Sequence, residues 1–404
     1  MTEAASLESA ARVGAPSVRF PCFDGLRAVA ALAVLVTHVA FITGVDFRSS
    51  LGAFTARLDV GVVVFFVISG FLLYRPFVAA RFAGAPTPRW PAFFWRRALR
   101  ILPAYWLALT VTVFVLGVPK HTPDATTLFL DYTLLHSYTA AHFVGPILSS
   151  YTLVTEVAFY VFLPVFAVLV SKRVASPEQH LRREVLAVGA LFAAGVAYRL
   201  IITFISPPPA RDAQLSNLLP GWIDVFAVGM ALAVLSAWIT HRHAEAPAGL
   251  GRPWAPAAAW LAAACAFVAV SLVIGKPPPG VVTYSAGEKL AIHYLYLVVA
   301  ASLVLPAIFG PQGRGAIRTL LRNPIAVWLG LVSYGMYLWN ETLIEKYYDW
   351  SDTRLFASPF AKTLLAVLAL TLVAAAVSYY MLERPVLRLK DRVPFRRSTV
   401  ARAR

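Results

Sequence analysis

The chain has 404 residues, 59% of them from the set AVILMFWYC and only 14% charged, with a mean hydropathy of +0.69. A soluble fold carries roughly a quarter of its residues as charges, so soluble enzymes, disulfide scaffolds and disordered tails are excluded. An all-α polytopic membrane protein is expected. The net charge of +16 does not point to nucleic acid, because the basic residues sit in short segments between apolar runs.

In chain order, ten apolar runs, each about the length that crosses a bilayer, are read as helices. They cover 23–43, 59–80, 99–118, 151–171 and 184–205, then 218–239, 254–274, 290–309, 324–345 and 360–382. The expected organisation is a polar tail (1–22), a transmembrane bundle (23–382) and a basic tail (383–404). No cleavable signal is expected in 1–22, which is polar and lacks a small-residue cleavage site. Residues 126–138 are apolar but short and carry Asp131, so an interfacial or re-entrant piece is expected there. The Pro runs at 207–209 and 277–279 fall in connections. Cys22 and Cys265 are far apart in the pattern, and no structural disulfide is expected. Arginine outnumbers lysine 29 to 7, a usage that suggests a GC-rich bacterial genome.

Basic residues set the orientation. The first tail, the even-numbered connections (read into the first residues of the next helix) and the last tail hold 24 of the 36 Lys and Arg. The odd-numbered connections, read in the same way, hold 9. Both termini are therefore expected in the cytoplasm, in a multi-pass protein of the cytoplasmic membrane.

Ionisable side chains inside spans are costly unless paired or wet, and the spans hold Asp24, Arg27, His38, Arg75, Glu156, Arg199, Asp224, Glu341 and Glu383. Arg75 and Glu383 sit at span ends, where anchoring or pairing explains them equally well. Arg27 and His38 are eleven residues apart, which leaves about 20° of angular offset and about 16 Å of rise, so they share one helix face. Asp24 is placed for an i,i+3 ion pair with Arg27. By depth, His38 and Glu156 fall at a similar level, with Asp224 and Asn340 near it. An imidazole beside a carboxylate is the arrangement of a general base with its orienter. Helix adjacency is not readable from sequence.

Six ordered motifs carry a resemblance. FDGLRAVAALAVLVTH (23–38), FFVISGFLL (65–73), RRALRILPAYW (96–106), YTLVTEVAFYVFLP (151–164), LVSYGMYLWN (331–340) and YYMLERPVLRL (379–389) together resemble the acyltransferase 3 family of integral-membrane O-acyltransferases. The resemblance implies transfer of an acyl group, commonly acetyl from acetyl-CoA, to a hydroxyl of a sugar, envelope glycan, lipid or macrolide-type metabolite. It implies that His38 is the essential histidine, Arg27 its arginine partner and Glu156 the fourth-helix glutamate. It also implies that Arg97 and Arg100 meet the CoA phosphates, for which guanidinium is well shaped; plain cytoplasmic anchoring is the other reading of that cluster. Two positions depart from the family pattern: Tyr151-Thr152 stands where Trp-Ser is usual, and Asn340 where histidine is common. Ser69-Gly70 fits close helix packing, with Ser69 as polar support.

The expected mechanism has His38, oriented or charge-stabilised by Glu156, taking the proton of an acceptor hydroxyl that attacks the thioester. A covalent acyl-histidine is the less simple variant. Acyl-CoA is expected as co-substrate, with neither a permanently bound cofactor nor a metal. No fused hydrolase-like domain is expected after residue 404, which leaves direct transfer to the acceptor or a separate extracytoplasmic transferase as partner. A transporter using the same stripe of charges, and a subunit that only moves acyl groups across the membrane, are the alternatives.

Overall fold

A computed structural model describes residues 20–118, 123–139, 143–171, 176–242, 249, 252–277 and 284–392. Among these residues every long element is an α-helix and no strand occurs. The ten long helices are α1 (Phe23–Thr43), α2 (Val60–Phe82), α3 (Trp90–Thr110), α4 (Ser150–Val170) and α5 (Pro177–Ile205), then α6 (Ile223–His241), α7 (Ala255–Ile274), α8 (Ala286–Ile308), α9 (Pro324–Ser351) and α10 (Phe360–Ser378). Nine are long and apolar enough to cross a bilayer. The exception among the ten expected spans is α9, where Ser333, Tyr334, Tyr337, Asn340 and Glu341 dilute an otherwise apolar helix. It lies parallel to α1 nonetheless. Gly330 packs on the Asp24 carbonyl, Asn340 meets His38, and the Tyr348 hydroxyl donates to the Ile42 carbonyl at 3.2 Å. Eighteen residues of each helix thus stay in register, about 27 Å of rise.

Local chemistry fixes the helix ends. Gly44 closes α1 in the left-handed conformation (φ 79°), its N–H reaching Ala40 and Phe41 carbonyls. Ser176 and Asn323 cap α5 and α9 through their side chains, each followed by proline in the first turn. Ser285 and Glu288 form a capping box at α8. Two expected boundaries move. The third helix begins at Trp90 rather than residue 99, because Pro91 is accommodated in its first turn, and this puts Arg96, Arg97 and Arg100 on a helix. The fifth begins at Pro177 rather than 184 for the same reason.

The centre of the bundle is closely packed. A Cβ at Gly70 would collide with the Phe226 carbonyl, one at Gly229 with the Val67 carbonyl, and one at Gly61 with the Ala30 carbonyl. Small residues therefore let α2 approach α6 and α1 backbone to backbone. Of the apolar windows, 61% of that in Gly52–Phe82 and of that in α6 is buried, against 17% in α5 and 22% in α7. The outer helices present their apolar side chains to lipid.

Residues 125–138 form a short helix, Ala125–Tyr132, and a 3-10 turn, His136–Tyr138, too short to cross a membrane. Residues 1–19 of the expected first tail, 393–404 of the second and 278–279 of the second proline run lie outside the described residues. What is described of 383–404 is not a free tail. It stays helical through Asp391, and the Trp95 indole donates to the Leu389 carbonyl at 3.0 Å. Phe20, whose ring receives the Arg75 guanidinium at 5.1 Å, lies at the start of α1.

Candidate active site

The sequence-expected residues divide between two cavities. The first, of about 90 Å³, is lined among others by Arg27, Ser69, Arg97, Arg100, Glu156 and Tyr160. Arg27 on α1 donates to Asp24 Oδ1 at 3.1 Å, the i,i+3 pair expected from the spacing. Arg97 and Arg100 come from adjacent turns of α3. The Arg97 guanidinium lies over the rings of Phe93 (6.0 Å) and Tyr160 (5.9 Å), and its buried Nε has no hydrogen-bond partner. Glu156 on α4 accepts from the Ser69 hydroxyl at 2.9 Å and from the Tyr160 hydroxyl at 2.5 Å. Three guanidinium groups thus line a cavity whose lining holds one carboxylate, with Asp24 engaging Arg27 from outside it. Positive charge in excess at such depth is costly, so this cavity suits an anion.

The second cavity is wider, about 810 Å³, and is lined by His38, Phe41, Leu148, Glu341, Glu345 and Tyr348 among others. His38 Nδ1 is 2.6 Å from Asn340 Oδ1, and His38 Nε2 is 3.6 Å from Glu341 Oε1. The Asn340 amide nitrogen donates to the Met336 and Tyr337 carbonyls at 3.1 and 2.7 Å. With both donors so used, the amide oxygen faces the imidazole. Nδ1 therefore carries the hydrogen in the neutral ring, and the Nε2 lone pair points towards the cavity. Glu341 is itself held, its Oε2 accepting from the Ser149 backbone N–H at 2.5 Å.

Two expectations are corrected here. His38 and Glu156 do not form a pair: His38 is held by Asn340 and Glu341, while Glu156 turns to Ser69 and Tyr160 in the other cavity. The expected equal depth does not hold: Ser149, at the head of α4, meets Glu341 beside His38, and Glu156 lies seven residues further along that helix, about 10 Å of rise, turned towards α2. Asp224 is equally remote. It is fully buried and paired with His293 on α8 at 2.8 Å, and it accepts the Val225 N–H at 2.9 Å. Arg199 supports the adjoining turn by donating to the Ser216 and Gly221 carbonyls. This cluster ties α5, α6 and α8 together beside the site rather than in it. Arg75 likewise joins α2 to α6 through Ser236 and Thr240, both at 3.1 Å.

Glu341, Tyr160 and Tyr337 lie at these cavities without having been singled out as site residues. The signal for Tyr160 was present, since it stands one helical turn from Glu156 at i+4. Glu341 was visible as a charge in a span but had no assigned partner. Among the described residues no group of three or more His, Cys, Asp or Glu is arranged to hold a metal.

Comparison with known proteins gives a consistent result. The acyltransferase domain of the acyltransferase 3 family matches residues 20–383. Acyltransferase MdmB of Streptomyces mycarofaciens is 27% identical over 406 residues, 93% of this chain and 93% of that protein. Peptidoglycan O-acetyltransferase OatA of Listeria monocytogenes is 23% identical over 385 residues, 91% of this chain but 55% of OatA, so the chain spans about half of that relative. No solved structure matches. On the near-complete match of its multi-pass helical bundle, the chain belongs to the acyltransferase 3 family of integral-membrane acyltransferases.

Proposed function

We propose that the protein is an acyl-CoA-dependent O-acyltransferase of the cytoplasmic membrane, with both termini cytoplasmic, that moves an acetyl group to a hydroxyl of a sugar, envelope glycan or macrolide-type metabolite. One observation carries the reading: Arg27, Arg97 and Arg100 converge on one cavity, and a histidine held at Nδ1 by Asn340 lines the next. The names of OatA and MdmB support acyl transfer, and the 93% coverage of MdmB supports it for the membrane unit.

In this reading the donor enters at the arginine side. The cavity is too narrow for the nucleotide, which stays at its mouth with its phosphates on the guanidinium groups, while the pantetheine arm carries the thioester towards His38. The acceptor occupies the wider cavity. His38 Nε2 takes the proton of the acceptor hydroxyl, whose oxygen attacks the thioester carbonyl. The C–S bond breaks, and the CoA thiolate recovers a proton from the imidazolium. Asn340 holds the ring through Nδ1–H, and the Glu341 carboxylate, 3.6 Å from Nε2, favours the imidazolium as it forms. Glu156 acts at a distance from this step, by balancing the arginines and holding Ser69 and Tyr160.

The test compares a deletion strain with the same strain restored by wild type or His38→Ala, scanning glycans, glycolipids and secreted metabolites by mass spectrometry for alkali-labile acyl groups. An ester lost on deletion and restored by wild type alone is expected, since general-base catalysis contributes about 10²–10⁴-fold. Equal restoration by His38→Ala overturns the role of that histidine. No ester difference, with a solute accumulating on one side of the membrane, overturns acyl transfer in favour of transport.

A further inference from the structure

The two cavities lie end to end along the same helices. On α9 the arginine cavity takes residues up to Tyr337 and the histidine cavity begins at Glu341; at the head of α4 the arginine cavity starts at Thr152, and Leu148, in the turn before that helix, lines the other. The gap on α9 is four residues, about 6 Å. Tyr337 closes it. Its hydroxyl is 2.5 Å from Thr152 Oγ1 and donates to the Ser149 carbonyl at 3.4 Å, and its ring packs edge-on against Phe65. The plug is linked to the residues that hold His38. The Tyr337 carbonyl accepts from Asn340 Nδ2, and Ser149 donates its N–H to Glu341.

We propose that Tyr337 is the gate between a donor chamber and an acceptor chamber, and that its closed position keeps water on the acceptor side from the thioester. The proposal rests on the functional reading above for the identity of the donor. The wider chamber, holding His38 and Glu341, is filled by solvent when no acceptor is bound, and a thioester admitted to it would be hydrolysed. In that side reaction water adds to the carbonyl, acetate is released, and CoA leaves as the thiol. An acceptor hydroxyl bound at Glu341 competes with the Ser149 N–H for the same carboxylate. It thereby loosens the turn against which the Tyr337 hydroxyl is held, so that opening follows acceptor binding. Tyr337 is a positioning residue in this scheme and does not exchange a proton with the substrates.

Two variants separate gate from scaffold: Tyr337→Phe removes the hydroxyl lock, and Tyr337→Ala removes the plug. In proteoliposomes with acetyl-CoA and no acceptor, Tyr337→Ala is expected to raise acetate release about tenfold or more, the effect of losing a barrier of at least one hydrogen bond. Tyr337→Phe should give a smaller rise. Acetate release unchanged from wild type in folded Tyr337→Ala overturns the gate. A second measurement does not depend on acetyl-CoA being the donor. In a Cys265→Ala background, Ser69→Cys places a thiol in the arginine cavity, and a membrane-impermeant maleimide is applied from the His38 side. Protection with Tyr337 present and labelling with Tyr337→Ala support the gate. Equal labelling of both overturns it, whatever the donor is.

Discussion

Asn340 Oδ1 stands 2.6 Å from His38 Nδ1, and the amide that carries it is held by two backbone carbonyls of its own helix. The contact joins α1 to α9 and fixes the state of the imidazole. A histidine at position 340 would compete for protons with His38, whereas a neutral amide locked through its NH₂ presents only an acceptor. The departure from the family pattern at this position therefore has a defined chemical consequence: Nε2 is the basic atom, and it opens onto the wider cavity.

Substitution at this position separates orientation from charge. Asn340→Leu removes the acceptor and frees the tautomer, so turnover should fall by roughly 10–100-fold with the KM for acyl-CoA little changed. Asn340→Asp keeps an acceptor at Nδ1, so it should retain more turnover than Asn340→Leu. Equal turnover for the two variants would show that Nδ1 does not bond this residue during catalysis.

The arginine cavity gives a second test, because a substrate role and a membrane-anchoring role differ in kinetics. On the proposed mechanism, Arg97→Gln and Arg100→Gln each remove a charge-assisted contact with phosphate, about 1.5–3 kcal/mol, which raises the KM for acyl-CoA by roughly 10–100-fold. Turnover at saturation should change far less. Arg75→Gln is the comparison, since Arg75 bonds Ser236 and Thr240 and does not line the cavity; its KM should stay near wild type. Initial-rate measurements over a range of acyl-CoA concentrations decide between the two, and unchanged KM values for Arg97→Gln and Arg100→Gln would return the cluster to anchoring.

The bundle was legible in the sequence because a bilayer imposes a length on every apolar run, and the Arg27–His38 stripe because helical periodicity is rigid over eleven residues. The Asp24–Arg27 pair follows from the same arithmetic. Contacts between helices were not legible in this way. Counting from the span ends puts Glu156 level with His38, yet the His38 level meets α4 at Ser149, seven residues before Glu156, because helix ends differ in how far they reach. Along α9, the Glu156 cavity ends at Tyr337, one turn short of the Asn340 that meets His38. Asp224 was drawn towards the site by depth alone, and its partner His293 stands 69 residues away on another helix with no local pattern to announce it. The α9 helix was legible as the run 324–345, and as a span it is the least apolar of the ten because it carries polar residues that line the two cavities.

His136 offers a test of the connection between α3 and α4, outside the spans. It is fully buried in the turn His136–Tyr138, with Nε2 3.0 Å from the Ser150 hydroxyl at the head of α4 and Nδ1 3.7 Å from Asp131 Oδ1. Burial pushes its imidazole down from 6.5 to about 4. As pH falls from about 6.5 towards 4, the unfolded chain takes up a proton that the folded chain refuses. The contribution of this neutral histidine is therefore complete above 6.5 and is lost across that window. Asp46, buried in the connection after α1 with the Thr55 hydroxyl 2.5 Å from its carboxylate, has the opposite sign. Burial raises it from 3.8 to about 6, so its contribution is complete below 3.8 and is lost as pH rises through 6. Thermal unfolding in detergent at pH 7, 6, 5 and 4 should show His136→Gln losing less stability than wild type on acidification. Asp46→Asn should lose more, because the compensating gain is removed. Parallel curves for all three proteins would mean that neither group titrates on unfolding, and would place both in contact with water in the folded state.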